Sequence, residues 1–336
     1  MDLAGFLIRR FIEAIPTFFG LLVLIFLIAR VMPGDPIRLA LGPEATQAQI
    51  EAFRRELGLD LPLWLQFATY LQNLSRGDFG ISLRTHRSVS EDLRELVPAT
   101  LELVGSALLL SVVFGLPAGI LSAIYRNSWI DASARLAAVS GVALPRFWVG
   151  ILLQIFLAYR LGLFPIIGRS DLGVSVSQLT GFRTVDALLA GNMPAFLDAV
   201  WHLALPAFTL ALPTIAQVAR LVRASMIEVL GQPYILVHRA YGLPPRRIVY
   251  RFALRNSLTS TLTLIGLSFG ALIENAFLVE VVFSWPGISA YGAQAVLAKD
   301  FNAVVAVTLV IGLAFLVANL IVDLLYGLLD PRVRYD

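Results

Sequence analysis

Apolar residues in this 336-residue chain gather in long runs separated by short polar stretches, the pattern of helices that are apolar all round rather than of half-exposed elements. A helix needs about 20 apolar residues to cross about 30 Å of hydrocarbon. The runs Leu103–Tyr125, Leu203–Ala219 and Phe301–Val322 are free of charge and meet or approach that length, and Ala14–Ala29 does so with its flanks. Two more are flawed: Leu136–Tyr159 is interrupted by Pro145-Arg146, and Asn256–Ile273 continues through Glu274 toward Glu280. Together they predict an all-α integral membrane protein with six transmembrane helices. Between the first two runs the period changes. Gln47–Leu57 reads as an amphipathic helix ended by Gly58, and Pro62–Leu74 as a second one resting Trp64, Phe67 and Leu71 on something apolar, so a small folded cap is expected there.

Composition agrees and narrows the chemistry. Charged residues make up 15% of the chain, against about 25% in a soluble domain, and mean hydropathy is +0.79. There is no cysteine, which excludes disulfides, thiolate metal sites and cysteine nucleophiles, and three scattered histidines (His86, His202, His238) argue against a histidine-built metal site. The one lysine is Lys299 and no G-x-x-x-x-G-K-[ST] occurs, so no P-loop is present and ATP-driven work must be powered by another subunit.

Arginine placement orients the spans. Segments 1–10, 126–135, 220–255 and 331–336 carry thirteen arginines, whereas 160–202 and 284–302 carry four Lys/Arg between them. The loop 32–98 is too long to count and is internally balanced, with seven arginines against nine acids. Both termini are therefore expected in the cytoplasm. Arg9-Arg10 before an apolar run resembles a signal peptide, but the run is long and ARVMPGDP offers no small-x-small cleavage site, so it is expected to remain as the first span.

Several short motifs have simpler readings. Gly266-Leu267-Ser268-Phe269-Gly270 fits G-x-S-x-G, which would suggest an intramembrane hydrolase, but it lies mid-span without a strand-turn-helix setting, and its glycines also form the close-packing G-x-x-x-G. Asp78-Phe79-Gly80 has no other kinase element near it, and Asn73-Leu74-Ser75 is too common a pattern to weigh. Arg146, Glu274 and Glu280 are different, because a charge at mid-bilayer costs about 2.5–3.5 kcal/mol even on insertion scales and usually faces a water-filled path unless it snorkels from a span end. Prolines 117, 145, 206 and 213 loosen spans where neighbouring helices can satisfy the freed backbone.

The stretch HRAYGLPPRRIVYRFALRN carries Arg239, Arg246, Arg247, Arg251 and Arg255 with no acid between them. Pro233 at a helix start, Tyr234–Tyr241 as a short helix, Gly242 as a left-handed stop and Pro244-Pro245 opening the next helix predict a helix-turn-helix elbow. The second helix is expected to carry Arg247, Arg251 and Arg255 on one face into the fifth span. Nucleic acid is a poor partner for a membrane loop without reading motifs. Two readings remain: the stripe binds phosphate headgroups and fixes topology, or the Pro233–Gly242 helix docks into another protein.

From about residue 9 to 335 the chain resembles the first of the two permease subunits of bacterial ABC importers in the dipeptide/oligopeptide/nickel family. The stretches that carry the likeness are RRFIEAIPTFFGLLVLIFLIARVMPGDP, RGDFGISLRTHRSV, LVPATLEL, TGFRTVDALLAGN, HLALPAFTLALP, HRAYGLPPRRIVYRFALRNSL, VEVVFSWPGI and LLDPRVRY, in family order. The resemblance implies a type I importer permease fold, with a span and external cap over 1–98, a five-span core over 99–330 containing a coupling loop at 226–256, and a cytoplasmic tail at 331–336. It implies that Tyr234, Val237, His238, Arg239, Ala240, Tyr241, Gly242 and Leu243 form a coupling helix contacting an ATPase. It places Arg146, Glu274, Asn275, Glu280, Phe283, Trp285, Pro286 and Gly287 at the outer gate or translocation path. Two departures stand out. The family signature opens with glutamate and two alanines where this chain has Leu236, Val237 and His238, and a small residue is usual where it has Arg146. The implied partners are a homologous second permease, two ATPases holding ATP and Mg, an external binding protein and the inner-membrane bilayer. This chain would have no cofactor and no catalytic site. Peptides are the expected cargo, with nickel complexes, sugars or opines as alternatives. A non-ABC scaffold or intramembrane enzyme is the remote one, and the coupling loop argues against it.

Overall fold

The computed structural model describes residues 3–31, 46–56, 60–171, 173 and 176–329; the predicted stop at Gly58 and the tail at 331–336 lie outside them. In chain order the helices are α1 (Leu3–Val31), α2 (Gln47–Glu56), α3 (Leu63–Ser75), α4 (Val89–Ile124), α5 (Trp129–Ala143), α6 (Arg146–Leu153), α7 (Arg183–Leu189), α8 (Met193–Leu230), α9 (Pro233–Ala240), α10 (Leu254–Val282), α11 (Ile288–Leu297) and α12 (Phe301–Leu329). Among the described residues the β contact is one isolated bridge, Ile81 with Ser88.

Among the described residues four helices are long and apolar enough to cross a bilayer: α4, α8, Ser260–Val282 of α10 and Phe301–Ile321 of α12. A fifth span results if α5 and α6, with the π-wound Gln154–Arg160 that continues α6, count as one broken span. The break is where the sequence placed it, and it is a sharp one, 107°. Leu144, ahead of a proline, is driven out of helical space to φ −84°, ψ 136°, and Pro145 follows at ψ 128°. The helix α1 has 29 residues, with Ile15–Leu27 as its apolar described stretch. The boundary drawn at 98/99 falls inside α4, which runs through Pro98 without interruption.

The centre of the molecule is the long crossing of α4 and α8, with α10 against both. In hydrocarbon the driving force between helices is close packing rather than water exclusion, so small residues mark the seam. Gly115 and Gly119 of α4 lie so near Val218, Ala219 and Val222 of α8 that a methyl group on Gly119 would sit 2.6 Å from the Ala219 carbonyl oxygen. In the Gly266–Gly270 motif Gly270 abuts the ring of Phe315 on α12, and the Ser268 hydroxyl donates to the Leu264 carbonyl one turn back at 2.6 Å.

The cap matches its expectation in part. The helix α3 lays Phe67 against Phe19 and Phe26 of α1 (centroids 6.1 and 5.1 Å apart), and Leu71 packs beside Leu22 and Ile25. Trp64 does not join them. It is 70% exposed, in the first turn of α3. The basic stretch also departs from the expected α-helix: after one turn at Pro245–Arg247 the chain is π-wound from Ile248 to Ala253 before α10 begins. Arg247, Arg251 and Arg255 are all exposed.

Candidate functional site

The elbow between α8 and α10 forms from local signals. Pro233 opens α9 at N1, where its missing N–H costs nothing. The helix closes as Gly242 N–H donates to the Arg239 carbonyl (2.9 Å) and Leu243 N–H to the His238 carbonyl (3.2 Å). Gly242 takes φ +70°, and a β-carbon there would meet nothing within 4 Å. Glycine is required at this point by backbone conformation and not by lack of space.

Burial divides the eight elbow candidates into two faces. Ile235 is fully buried, the Tyr234 hydroxyl accepts from Asn256 Nδ2 at 2.8 Å, and the His238 ring lies on Phe252 with centroids 4.2 Å apart. These three hold α9 to the base of α10. Tyr234 and His238 therefore face inward, whereas Leu236 (58% exposed), Val237 (50%) and Tyr241 (81%) face out with Arg239 and Ala240; Leu243 is half-buried. Leu236, Val237 and Tyr241 thus form an outward apolar strip at this eight-residue helix and its C-terminal end, with exposed Arg239 beside them.

At the other end of α10, Glu280 is 1% exposed and does not line an open path. Thr100 of α4 donates to its Oε1 at 2.6 Å, and the Ala290 backbone N–H donates to its Oε2 at 2.7 Å. Thr100 Oγ1 in turn accepts from Ile288 N–H at 2.8 Å. The carboxylate thus clamps the α10–α11 hairpin to α4. Trp285 adds a second tie, its indole N–H donating to the Ala99 carbonyl at 2.9 Å, and Phe283 is buried beside it. Gly287 packs directly on the Glu280 carboxylate, leaving no room for a side chain, and Ser284 makes the turn at φ +48°.

The remaining outer candidates do not join this cluster. Pro286 is exposed, and so are Glu274 and Asn275. Glu274 borders an open, mostly apolar groove between α1, α10 and α12, and Asn275 donates to its own helix at Ala271. Arg146 is half-buried at the start of α6, directly after the break, and its Nη1 is buried without a hydrogen-bond partner among the described residues.

Residues 115–335 match the family described as binding-protein-dependent transport system inner membrane component, and residues 3–104 match its N-terminal companion. The chain belongs to this family. The permease is 44% identical, over 94% of its length and 93% of the relative's, to a probable D,D-dipeptide transport system permease protein of Escherichia coli K12. It is 40% identical over 99% of both chains to a di/tripeptide transport system permease protein of Pseudomonas aeruginosa, and 35% identical, over 98% of its length and 99% of the relative's, to a glutathione transport system permease protein of E. coli K12. An inward-facing structure of the MetNI methionine ABC transporter superposes with a TM-score of 0.52 over 71% of the permease and 96% of that chain, at 17% identity, which shows a shared fold. The permease is thus a multi-pass inner-membrane component of an ABC transport system and has no catalytic role of its own.

Three polar clusters of the permease escaped the sequence reading. Asp131, fully buried, receives Arg223 of α8 in a two-pronged pair (Nε–Oδ1 2.6 Å, Nη2–Oδ2 2.9 Å), together with the Ser122 hydroxyl and the Asn127 N–H. Glu102 holds Arg169 at 2.5 Å and the N–H and hydroxyl of Thr184 at 2.8 and 2.7 Å, strapping the 160–192 loop to α4. In the same loop burial pushes the Asp186 carboxyl up, but hydrogen bonds from Thr180 and Gly181 outweigh it and hold it below the usual carboxylate range. Asp92 ties Thr85 to Tyr291, while Asp300 receives Ser82 and caps α12. Partners lie up to 218 residues apart, so periodicity carries no trace of them. The single cue was that each acid lies beside or inside an apolar run.

Proposed function

We propose that this permease is the first of two homologous permease subunits of an ATP-driven importer of di- or tripeptides, with six spans, both termini in the cytoplasm, two ATPases below and an external binding protein above. The observation that carries the coupling half of this reading is the elbow: an outward Leu236–Val237–Tyr241 strip on a helix held from behind by Ile235, Tyr234 and His238. The cargo is inferred from relatives whose names all specify small peptides. ATP and Mg belong to the ATPases. Their closure draws the two coupling helices together and turns the shared cavity outward, and hydrolysis returns it inward, as differential binding of ATP to the closed state requires.

The α10–α11 hairpin then serves as the outer gate, its Glu280–Thr100 clamp making it move with α4 as one body. Glu274, Asn275 and Arg146 are left as groups for the second permease or the cargo to meet. The test is uptake of labelled dipeptide into proteoliposomes holding both permeases and both ATPases, with binding protein outside in reach of the gate and ATP within. Dipeptide uptake that tri- and dipeptides compete for supports the reading. Competition by nickel complexes, sugars or opines and not by peptides contradicts the cargo, and uptake without ATP contradicts the class.

A further inference from the structure

The outer end of α8 carries a cluster that coupling and gating leave unused. His202 is buried, with its side chain 3% exposed, and its Nδ1 lies 2.9 Å from the carbonyl oxygen of Asp198 one turn earlier. A carbonyl can only accept, so Nδ1 carries a proton, and in the neutral imidazole Nε2 then holds the lone pair. That lone pair points at another acceptor: Asp171 Oδ1, 3.6 Å away, on the loop that crosses the outer face. The separation is too long for a hydrogen bond. Asp198 completes the group. Its carboxylate receives the Asp171 N–H at 3.3 Å from both oxygens, and Oδ1 lies 3.2 Å from Nδ1 of the imidazole. One donor atom from each of the three residues lies within 4.8 Å of the other two.

We infer that Asp171, Asp198 and His202 form a divalent metal site of the Zn²⁺ type that clips the 160–192 loop to α8. An imidazole with two carboxylates is a donor set for borderline ions such as Zn²⁺ rather than for Mg²⁺ or Ca²⁺. Bonds of about 2.0–2.1 Å in a tetrahedron place ligand atoms about 3.3 Å apart, so the 3.6 Å between Nε2 and Asp171 Oδ1 needs little change, and the Asp198 carboxylate, now beside Nδ1, would turn toward Nε2 to complete the set. The Nδ1–H bond to a backbone carbonyl is the outer-shell contact that metal-ligating histidines use to fix their tautomer. Asp171 is 77% exposed, giving the ion a way in and leaving a fourth position for water. The loop is already held ahead of Asp171, by Phe164 stacked on Trp201 at 4.7 Å and by Arg169 on Glu102, and after it by Thr184 on the same Glu102 carboxylate, so the ion would close an arrangement that is largely formed. In the sequence the three scattered histidines argue against a histidine-built metal site; the fold brings one of them to two carboxylates. The inference is independent of the cargo.

Co²⁺ serves as the probe, since this cysteine-free chain offers no thiolate to compete. The purified full-length permease should bind one equivalent with a visible d–d spectrum, displaced by Zn²⁺, and Zn²⁺ should raise the melting temperature. Asp171→Asn changes an exposed side chain and leaves the fold intact; it should weaken binding by at least the about 10–100-fold that loss of an outer-shell partner costs such sites. His86→Ala and His238→Ala should leave binding unchanged. Binding that survives both Asp171→Asn and His202→Gln overturns the inference. So does stabilisation by mild acid with no response to Co²⁺ or Zn²⁺, which would make His202 a charged partner of the two aspartates and nothing more.

Discussion

Gly242 offers a perturbation whose size can be worked from the geometry. Its φ of +70° is in the left-handed region, and nothing lies within 4 Å of where a β-carbon would stand. Alanine there meets no clash and pays only the backbone term, about 1–2 kcal/mol for an L-residue in left-handed space. At 1.4 kcal/mol per factor of ten, the elbow of Gly242→Ala should be correctly formed about 5–30-fold less often relative to alternatives. Asparagine tolerates this region best among L-residues and should fall between glycine and alanine, whereas valine, branched at Cβ, should be worst. The assay is peptide-stimulated ATP hydrolysis and uptake by the reconstituted complex, read in parallel. Both should fall in the order Gly, Asn, Ala, Val, with membrane insertion unchanged and hydrolysis losing its response to cargo. Equal activity of the valine and wild-type complexes, or asparagine behaving like valine, would refute the argument that conformation fixes this position.

Three further outcomes follow from the polar clusters and the topology. Asp131→Ala leaves Arg223 without its buried partner and should cost about 3–5 kcal/mol, seen as loss of folded protein in fluorescence-detected size exclusion; adding Arg223→Met should recover much of it. Glu280→Ala strands Thr100 and the Ala290 N–H, at about 1–3 kcal/mol for a buried group left unpaired, so thermal melting in detergent should drop, while Glu280→Gln, which keeps an acceptor, should drop less. Ser284→Cys should react with an impermeant thiol reagent from outside, and Ser289→Cys more slowly because Ser289 is half-buried against the Ile273 carbonyl; labelling from the cytoplasmic side alone would invert the topology.

What the sequence made legible was local. Proline and glycine act on their own backbone and that of their immediate neighbours, so the break at Pro145 and the stop at Gly242 could be placed to the residue. Length and apolar content gave the long helices for the same reason. The faces of α9 were harder: Tyr234 looks as available as Tyr241 in the sequence, and what separates them is Asn256, 22 residues on. In the sequence Glu280 reads only as an acid near a span end, at the outer gate or path. Its partner Thr100 is 180 residues away, and only the assembled bundle shows that the carboxylate is bonded and covered. The π-wound segment and exposed Trp64 were hidden likewise, since both depend on what packs against them.

The central claim is that the outward face of α9 transmits ATPase closure, while the basic stripe after it anchors the chain to anionic lipid. Pull-down of the ATPases by the purified permease pair, at low and at high salt, tests this most directly. Replacing Leu236, Val237 and Tyr241 with alanine removes apolar docking surface and leaves the buried Ile235 and the Tyr234–Asn256 bond in place. The ATPases should then dissociate at both salt concentrations. Replacing Arg247, Arg251 and Arg255 with glutamine, which weakens attraction to anionic lipid by about 1 kcal/mol per residue, should leave the pull-down near wild type. Retention of the ATPases by the α9 variant, with their loss from the arginine variant, would contradict the account and make the basic stripe the docking surface.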